Sequence, residues 1–153
     1  MNVSIDGGRR VLYSRPWKSI VNSNGESVNA GDFLRARATS IQNAFRGIGV
    51  LLATQSNARV HLGCTIIVLL AAWACDLLLI EWVMIVLAIG GVWAAEGMNT
   101  AIEFTVDLVS PEHNELAGKA KDVAAGAVLI FSLTAIVVGL CVFVPYALRF
   151  MLV

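Results

Sequence analysis

A run of 26 residues without a charged side chain, from Val123 to Leu148, limits what this chain can fold into more than any other feature. A helix needs about 20 residues to cross the hydrocarbon core of a bilayer. Two more apolar segments precede this run. Leu62 to Ile80 carries one charge, and a second segment starts at Trp82 with 14 uncharged residues and keeps helical character to about Val109. The sequence therefore predicts three transmembrane helices.

The composition agrees with lipid as the main solvent of the chain. Hydrophobic residues make up 58% and charged residues only 14%, whereas soluble domains are nearer one quarter charged. The net charge is zero, from 11 basic and 11 acidic residues. A nucleic-acid partner is therefore not expected, because such binding needs a basic excess.

The N-terminal part has a different character. Residues 1–32 are polar and rich in Asn, Ser and Gly, and are predicted to be a flexible tail, with the membrane domain spanning 33–153. From Phe33 the apolar residues recur with a helical period, and basic residues fall on the opposite face. This pattern predicts an amphipathic helix lying in the membrane interface, the alternative being a helix packed on protein. The apolar face comprises Leu34, Ile41, Phe45, Ile48 and Leu52.

The basic residues predict the orientation of the spans. Ten of the eleven lie before the first span or between the second and third, and only Arg149 follows the third. The positive-inside rule puts that basic side in the cytoplasm. The N-terminus is then cytoplasmic and the C-terminus is outside. Asp76 and Glu81 mark the outer turn and are expected to be solvated.

The second helix carries a polar stripe at its cytoplasmic end. Glu96, Asn99, Glu103 and Asp107 are spaced by 3, 4 and 4 residues, which puts them on one helical face. Glu96 falls within the span, where a carboxylate costs about 2.5–3.5 kcal/mol, so a functional site is indicated. Glu96 and Glu103 lie two turns apart, about 10.5 Å along the axis, and could serve the two ends of one extended substrate.

A polar loop follows this stripe. Ser110 to Glu115 breaks the helix at Pro111, and the sequence GKAKD then leads into the third span. Lys121 and Asp122 are predicted at the beginning of that helix, where an anion is favoured. Carboxylates and a lysine at a membrane surface indicate a metal-bound phosphate compound.

Three functions remain open on spacing alone: a lipid-directed phosphotransferase, a proton or cation carrier, and a structural membrane subunit. A proton relay needs polar groups through the full membrane depth, but here they crowd the cytoplasmic third. A structural stripe does not need Lys121, Asp122 and a polar loop at the same end. No GxxxxGK[ST] phosphate loop occurs in the sequence.

The segment from Glu96 to Leu129 reads EGMNTAIEFTVDLVSPEHNELAGKAKDVAAGAVL. It resembles the signature of the prokaryotic diacylglycerol kinase family, and the resemblance extends more weakly back to about Phe33. That signature is close to E-x-x-N-[ST]-A-[IV]-E-x-x-x-D, a short polar loop, and then A-K-D. The matching residues are Glu96, Asn99, Thr100, Ala101, Glu103, Asp107, Ala120, Lys121 and Asp122.

The resemblance implies an all-α membrane protein of the bacterial inner membrane, with an N-terminal surface helix and three transmembrane helices assembled as a homotrimer with composite sites. It implies transfer of the ATP γ-phosphate to a lipid hydroxyl, with Mg²⁺. The lipid would be diacylglycerol, giving phosphatidic acid, or undecaprenol, giving undecaprenyl phosphate; residues 109–129 resemble the undecaprenol branch somewhat more. The alternatives are a degenerate assembly subunit and, less favoured, the proton or cation carrier.

The resemblance also implies residue roles. Glu96 would be the general base and Glu103 a metal ligand. The family usually has a second metal-binding glutamate at the position of Gln55, whose amide oxygen could coordinate Mg²⁺ without charge. His61 is expected to be structural, with a headgroup or nucleotide contact as the alternative. The expected nucleotide-binding residues are Gln55, Asn99, Glu103, Glu112, His113, Asn114, Lys121 and Asp122.

Overall fold

A computed structural model describes residues 3–6, 9–12, 30–112 and 114–152. Two short strands, β1 and β2, pair antiparallel within the segment predicted to be a tail, with Val3 opposite Leu12. The chain divides into two units, 1–46 and 47–153. The elements in chain order are β1 (Val3–Asp6), β2 (Arg9–Leu12), α1 (Ala30–Thr54), α2 (Ser56–Ala74), α3 (Leu79–Val109) and α4 (Glu115–Met151).

The predicted N-terminal helix is confirmed as α1, which begins three residues before Phe33. Its apolar residues in the first unit are exposed; they include Leu34 and Phe45, which are 65% and 70% accessible. The guanidinium of Arg37 lies 5.4 Å from the centre of the Phe33 ring, a cation–π distance. The apolar residues of α1 that belong to the first unit are thus uncovered within that unit.

In the described part of the chain, three helices are long and apolar enough to cross a membrane: α2, α3 and α4. The predicted all-α fold with three spans is therefore confirmed. The predicted ends differ: α2 stops at Ala74 rather than Ile80, and α4 begins at Glu115, eight residues before Val123. Hydropathy marks only the apolar part of a helix, and the first two turns of α4 are polar.

This early start corrects the placement of Lys121 and Asp122. They were predicted at the helix beginning, but they are the seventh and eighth residues of α4. Asn114 is the N-cap, and its side-chain oxygen accepts from the backbone N–H groups of Leu116 and Ala117 at 2.9 and 3.2 Å. Lys121 and Asp122 therefore act as side chains on a helix flank and not as part of a helix N-terminus.

The turn between α2 and α3 is a Schellman motif. Asp76 has φ 51°, in the left-handed region, which Asp tolerates better than most residues. Its N–H donates to the carbonyl of Trp73 at 3.2 Å, and the N–H of Leu77 donates to the carbonyl of Ala72 at 3.4 Å. Leu77 and Ala72 are both buried in the core at this end of the bundle. The chain thus reverses direction within four residues.

A core of Ala72, Leu77, Ile85 and Val142 packs α2, α3 and α4 together next to this turn. Glu81 was expected to be solvated, but it is partly buried against this core. It accepts hydrogen bonds from the Leu78 N–H at 2.8 Å and from the Tyr146 hydroxyl at 2.7 Å. The prediction that Glu81 is solvated was wrong because the hydroxyl that donates to it belongs to Tyr146, near the C-terminal end of α4 and 65 residues away in the sequence.

Two further contacts fix the helices in the middle of the bundle. The indole N–H of Trp93 on α3 donates to the hydroxyl of Thr65 on α2 at 3.1 Å. On the other side of α3, a Cβ added at Gly91 would lie 2.7 Å from the Phe131 ring of α4. A side chain at position 91 would require the Phe131 ring to move, so Gly91 permits this close contact between α3 and α4 five residues before Glu96.

Candidate functional site

The carboxylate of Glu96 is buried in the middle of the three helices. Its residue is 1% exposed, and its Oε2 atom has no hydrogen-bond partner. Two other buried side-chain atoms in the described residues share this condition, Nε2 of His61 on α2 and Oδ1 of Asn99 on α3. Glu96, Asn99 and His61 all line one cavity of about 280 Å³. The three residues that carry an unpaired buried atom therefore line the same cavity.

The walls of this cavity come from all three spanning helices. The neighbouring helix α2 provides Asn57 and His61, and α4 provides Ser132 together with apolar side chains such as Val128. Burying a polar atom without a partner costs about 1–3 kcal/mol. Three such atoms around one cavity are typical of a site that pairs them with a ligand.

Glu103 lies two turns along α3 from Glu96, and two amides hold it. The Gln55 side-chain Nε2 donates to Oε2 of Glu103 at 3.0 Å, and the Asn99 Nδ2 donates to Oε1 at 3.0 Å. The structure thus brings together Gln55 and Glu103, the two predicted metal ligands. Asn99 joins the two carboxylate positions, because its amide nitrogen donates to Glu103 while the residue also lines the Glu96 cavity.

Local structure explains this placement. The 3.6-residue period of α3 puts Glu96, Asn99 and Glu103 on one face. Gln55 is the single non-helical residue between α1 and α2, with extended backbone angles of φ −101° and ψ 121°. This break ends one helix and starts the next, so the Gln55 side chain reaches Glu103 from the end of α2.

Mg²⁺ prefers oxygen ligands and is usually held by one or two carboxylates together with substrate phosphates and water. No group of three or more His, Cys, Asp or Glu residues that could hold a metal occurs among residues 30–112 and 114–152 or in the two strands. Glu103 offers one carboxylate, and the amides of Gln55 and Asn99 carry oxygens that could turn toward an ion. These residues fit a magnesium ion that arrives with phosphate oxygens.

The remaining predicted nucleotide-binding residues lie farther along the polar end. Lys121 pairs with Asp107 at 2.5 Å and so joins α3 to α4. Asp122 and Glu112 are exposed, and Asn114 uses its side-chain oxygen to cap α4. His113 lies outside the described residues. The structure therefore groups Gln55, Glu96, Asn99 and Glu103, and places the lysine beside Asp107.

Among the cavity residues that did not figure in the predicted site are the two polar residues from α2, His61 and Asn57. Both lie on α2, whose apolar segment was predicted to begin only at Leu62. A histidine just inside the helix that faces Glu96 was the available signal, but which helix face meets α3 cannot be read from one helix alone.

The family model for prokaryotic diacylglycerol kinase matches residues 42–143, about two thirds of the chain. The chain belongs to the prokaryotic diacylglycerol kinase family. The predicted family and enzyme class, a lipid kinase, are thereby confirmed. With its three apolar helices, this kinase is a multi-pass membrane protein.

Individual relatives agree with the family. The chain is 42% identical over 106 residues to the undecaprenol kinase of Bacillus subtilis (strain 168), covering 69% of the chain and 86% of that relative. It is 39% identical over 113 residues to a diacylglycerol kinase of Synechocystis, covering 73% and 65%. The diacylglycerol kinase of Escherichia coli (strain K12) is 35% identical over 96 residues, covering 61% and 66%. The chain thus spans about two thirds of the two diacylglycerol kinases.

Proposed function

We propose that this kinase transfers the γ-phosphate of ATP to the hydroxyl of a membrane lipid, with Mg²⁺, and that Glu96 is its general base. One observation carries the proposal: Glu96 is 1% exposed, one of its buried oxygens is unpaired, and the residue lines a cavity together with His61 and Asn99. An unpaired buried carboxylate oxygen is costly unless a ligand completes its hydrogen bonds. A lipid hydroxyl can donate that bond at the depth of the span.

The reaction then follows from the position of Glu96. The carboxylate takes the proton of the lipid hydroxyl, and the freed oxygen attacks the γ-phosphorus of ATP. A new oxygen–phosphorus bond forms while the bond from the γ-phosphorus to the β–γ bridging oxygen breaks, and ADP leaves with that electron pair. Phosphoryl transfer depends mainly on positioning and charge neutralisation, so one base and a set of phosphate-holding groups are sufficient.

The phosphate-holding groups lie nearer the polar end of the bundle. Glu103 and Gln55 would hold Mg²⁺, which neutralises phosphate charge when bound. Asn99 supports this arrangement because its side chain reaches from Glu103 to the Glu96 cavity. Lys121 would exchange Asp107 for a phosphate oxygen. The proposed nucleotide contacts are completed by Asp122, Glu112, His113 and Asn114.

The proposal includes a placement in the bacterial inner membrane, with the N-terminus in the cytoplasm and the C-terminus outside. Ten of the eleven basic residues then lie on the cytoplasmic side. ATP would reach Glu103 from the cytoplasm, while Glu96 lies two turns deeper, at the level of a lipid hydroxyl. Residues 33–153 form the proposed kinase domain, 1–32 its tail, and the assembly is a homotrimer with sites shared between subunits.

The proposed acceptor is undecaprenol or diacylglycerol, and the comparisons favour undecaprenol. The relative matched over 86% of its length is an undecaprenol kinase. The second candidate function is a non-catalytic membrane assembly subunit, which the neutral Gln55 favours because the family usually has a glutamate there. The purely apolar residues from Trp82 to Ala95 speak against a proton or cation carrier.

The test is phosphorylation by the purified full chain in mixed micelles with labelled ATP and Mg²⁺. Undecaprenol and diacylglycerol are offered side by side, and Glu96→Gln is the control. Label in a lipid that disappears in the control supports the proposed kinase and identifies its acceptor. An intact protein that labels neither lipid would favour the assembly subunit.

A further inference from the structure

The side chain of Asn99 lies between the two carboxylates of α3 that the proposed function uses. Asn99 follows Glu96 by three residues and precedes Glu103 by four, so the three share one helical face. Its amide Nδ2 donates to Oε1 of Glu103 at 3.0 Å. Its Oδ1 atom is buried without a hydrogen-bond partner, as is Oε2 of Glu96, and both residues line the cavity of about 280 Å³. Glu103 therefore receives an N–H of this amide, while two buried acceptor oxygens receive none.

We infer that Asn99 is an amide switch between the metal and the base. When a divalent cation binds at Glu103, the Asn99 side chain makes a half-turn about its Cβ–Cγ bond, so that Oδ1 faces the cation and Nδ2 donates a hydrogen bond to Glu96. The inference rests on the proposed function, which puts Mg²⁺ at Glu103, and it makes Asn99 a positioning residue for the base.

The hydrogen bonds of Glu103 give the reason for the turn. Both of its oxygens accept an amide N–H, one from Gln55 and one from Asn99, each at 3.0 Å. The partial positive charge of an N–H group repels a cation at the same oxygens, whereas an amide oxygen is a ligand that Mg²⁺ accepts. A cation at Glu103 therefore favours the opposite orientation of the Asn99 amide.

The same half-turn pairs the two buried acceptors. An amide oxygen and an amide nitrogen are nearly equal in size, so the exchange needs no movement of neighbouring side chains. Nδ2 then occupies the buried position that Oδ1 holds now, one helical turn from Glu96. Glu96 and Asn99 are only 1% and 6% exposed, so bulk water does not pair their oxygens. Buried unpaired acceptors are costly, and the turn pairs Oδ1 with the cation and Oε2 of Glu96 with Nδ2.

The switch couples occupation of the metal site to the orientation of the base. A carboxylate oxygen can accept more than one hydrogen bond, so a bond from Asn99 leaves Glu96 able to accept the proton of a lipid hydroxyl. That bond fixes the direction of the carboxylate, which a general base requires. Glu96 is thus oriented only when the cation that accompanies the phosphate donor is in place.

The first test follows the Asn99 amide by NMR of the full chain in micelles, with ¹⁵N-labelled asparagine. The Asn99 signal is the one that disappears in Asn99→Leu, a variant of similar volume without an amide. Nuclear Overhauser contacts from its amide protons to the side chains of Glu96 and Glu103 are measured with EDTA, and then with Mg²⁺ and the β,γ-methylene analogue of ATP. Asn43, exposed on α1, is the internal control.

A second test measures the coupling without turnover. The Mg²⁺ concentration that half-maximally raises thermal stability, with the same analogue present, is determined for the wild type, Glu96→Leu, Asn99→Leu and the double variant. Direct attraction between the cation and the Glu96 charge acts in both backgrounds and cancels in this cycle. Only coupling that passes through the Asn99 amide remains.

We expect the amide contacts to move from Glu103 to Glu96 when Mg²⁺ and the analogue are added, with the Asn43 signal unchanged. Glu96→Leu should raise the required Mg²⁺ concentration about five- to tenfold in the wild-type background, the effect of one lost hydrogen bond, and less than twofold in the Asn99→Leu background.

The switch is overturned if the amide contacts stay at Glu103 with Mg²⁺ and the analogue present, or if Glu96→Leu has the same effect in both backgrounds. Lipid phosphorylation by the same preparation decides the proposed function separately. A wild type that labels lipid while its Asn99 contacts stay at Glu103 keeps the kinase and loses the switch. A wild type whose contacts move but that labels no lipid keeps the switch and loses the kinase.

Discussion

Two carboxylates on α3, Glu81 and Glu96, differ in their hydrogen bonding. Glu81, in the first turn, accepts hydrogen bonds from the Leu78 N–H and the Tyr146 hydroxyl, and both bonds reach the same oxygen. Glu96, four turns later, is more deeply buried and keeps Oε2 unpaired. The protein itself supplies two hydrogen bonds to the partly buried Glu81, whereas a fully buried oxygen of Glu96 has none.

The surroundings of the two carboxylates differ in the same way. Around Glu81 the helices form a close core that includes Leu77, Ile85 and Val142. Around Glu96 they enclose a cavity of about 280 Å³ that is lined by His61 and Asn99 as well as by apolar side chains. A larger apolar cavity of about 630 Å³ runs from His61 toward the other end, where Ile85 of the core lines it. The two ends of α3 therefore differ in where unpaired polar groups lie, which is beside Glu96 and not beside Glu81. The following predictions test this division.

The largest effect is expected from exchanging each carboxylate for an amide. Glu96→Gln should lower kcat by about 10²–10⁴-fold, the usual contribution of a general base, with little change in thermal stability. Glu81→Gln should do the opposite, lowering stability in detergent while kcat is kept. Lipid phosphorylation and thermal unfolding, measured on both variants, check this reversal. Equal kinetic losses in the two variants would contradict the division.

The next effect concerns the metal. Glu103→Gln removes the one carboxylate in the group formed with Gln55 and Asn99, so we expect the Mg²⁺ concentration for half-maximal activity to rise by about 10- to 100-fold. A magnesium titration of activity measures this shift. Glu115→Gln, an exposed carboxylate paired with Lys119, is the matched control and should follow the wild-type curve. An unchanged titration for Glu103→Gln would exclude Glu103 as a metal ligand.

A smaller change, of opposite sign, is expected from Gln55→Glu. The Gln55 amide lies 3.0 Å from Glu103, so the variant puts two carboxylates in contact. Without a cation they repel, which should lower thermal stability; with Mg²⁺ they form a stronger site, which should lower the Mg²⁺ requirement. Thermal unfolding with and without Mg²⁺ measures the first effect and a titration of activity the second. If Mg²⁺ does not restore the stability, this position lies outside the metal site.

The smallest effect is expected at the Glu81 end. Tyr146→Phe removes the hydroxyl that donates to Glu81 and should cost about 1 kcal/mol of stability, a typical value for one hydrogen bond. The KM for each substrate should stay at the wild-type value. Thermal unfolding and steady-state kinetics of the same preparation give both results, and a kinetic loss without a stability loss would reverse the assignment.

Much of the fold and part of the site could be predicted from the sequence, because the apolar runs and the spacing of polar residues are patterns within single helices. The apolar runs indicated three spans, and the 3–4–4 spacing put Glu96, Asn99 and Glu103 on one face of α3. The polar start of α4 was missed because hydropathy does not detect it. Asn114 followed by an acidic residue was a usable N-cap signal.

Contacts between helices could not be predicted in this way. The hydrogen bond between Tyr146 and Glu81 joins residues 65 positions apart, and that between Gln55 and Glu103 joins residues 48 apart. Such pairs depend on the axial position and the rotation of each helix relative to its neighbours. The close contact between Gly91 and Phe131 helps to fix the position of α3 relative to α4. The periodicity of a single helix does not predict such a relative position.

The length of α4 has a consequence for the membrane around the enzyme. Its 37 residues extend over about 55 Å, whereas the hydrocarbon core is about 30 Å thick. This single helix therefore carries Lys121 near its polar N-terminal end, while its apolar part spans the hydrocarbon core. In thicker or thinner bilayers, a change in the tilt of this helix would move the lysine relative to the membrane surface. Lipid chain length in reconstituted vesicles is therefore expected to act as a mechanical control on the rate of this kinase.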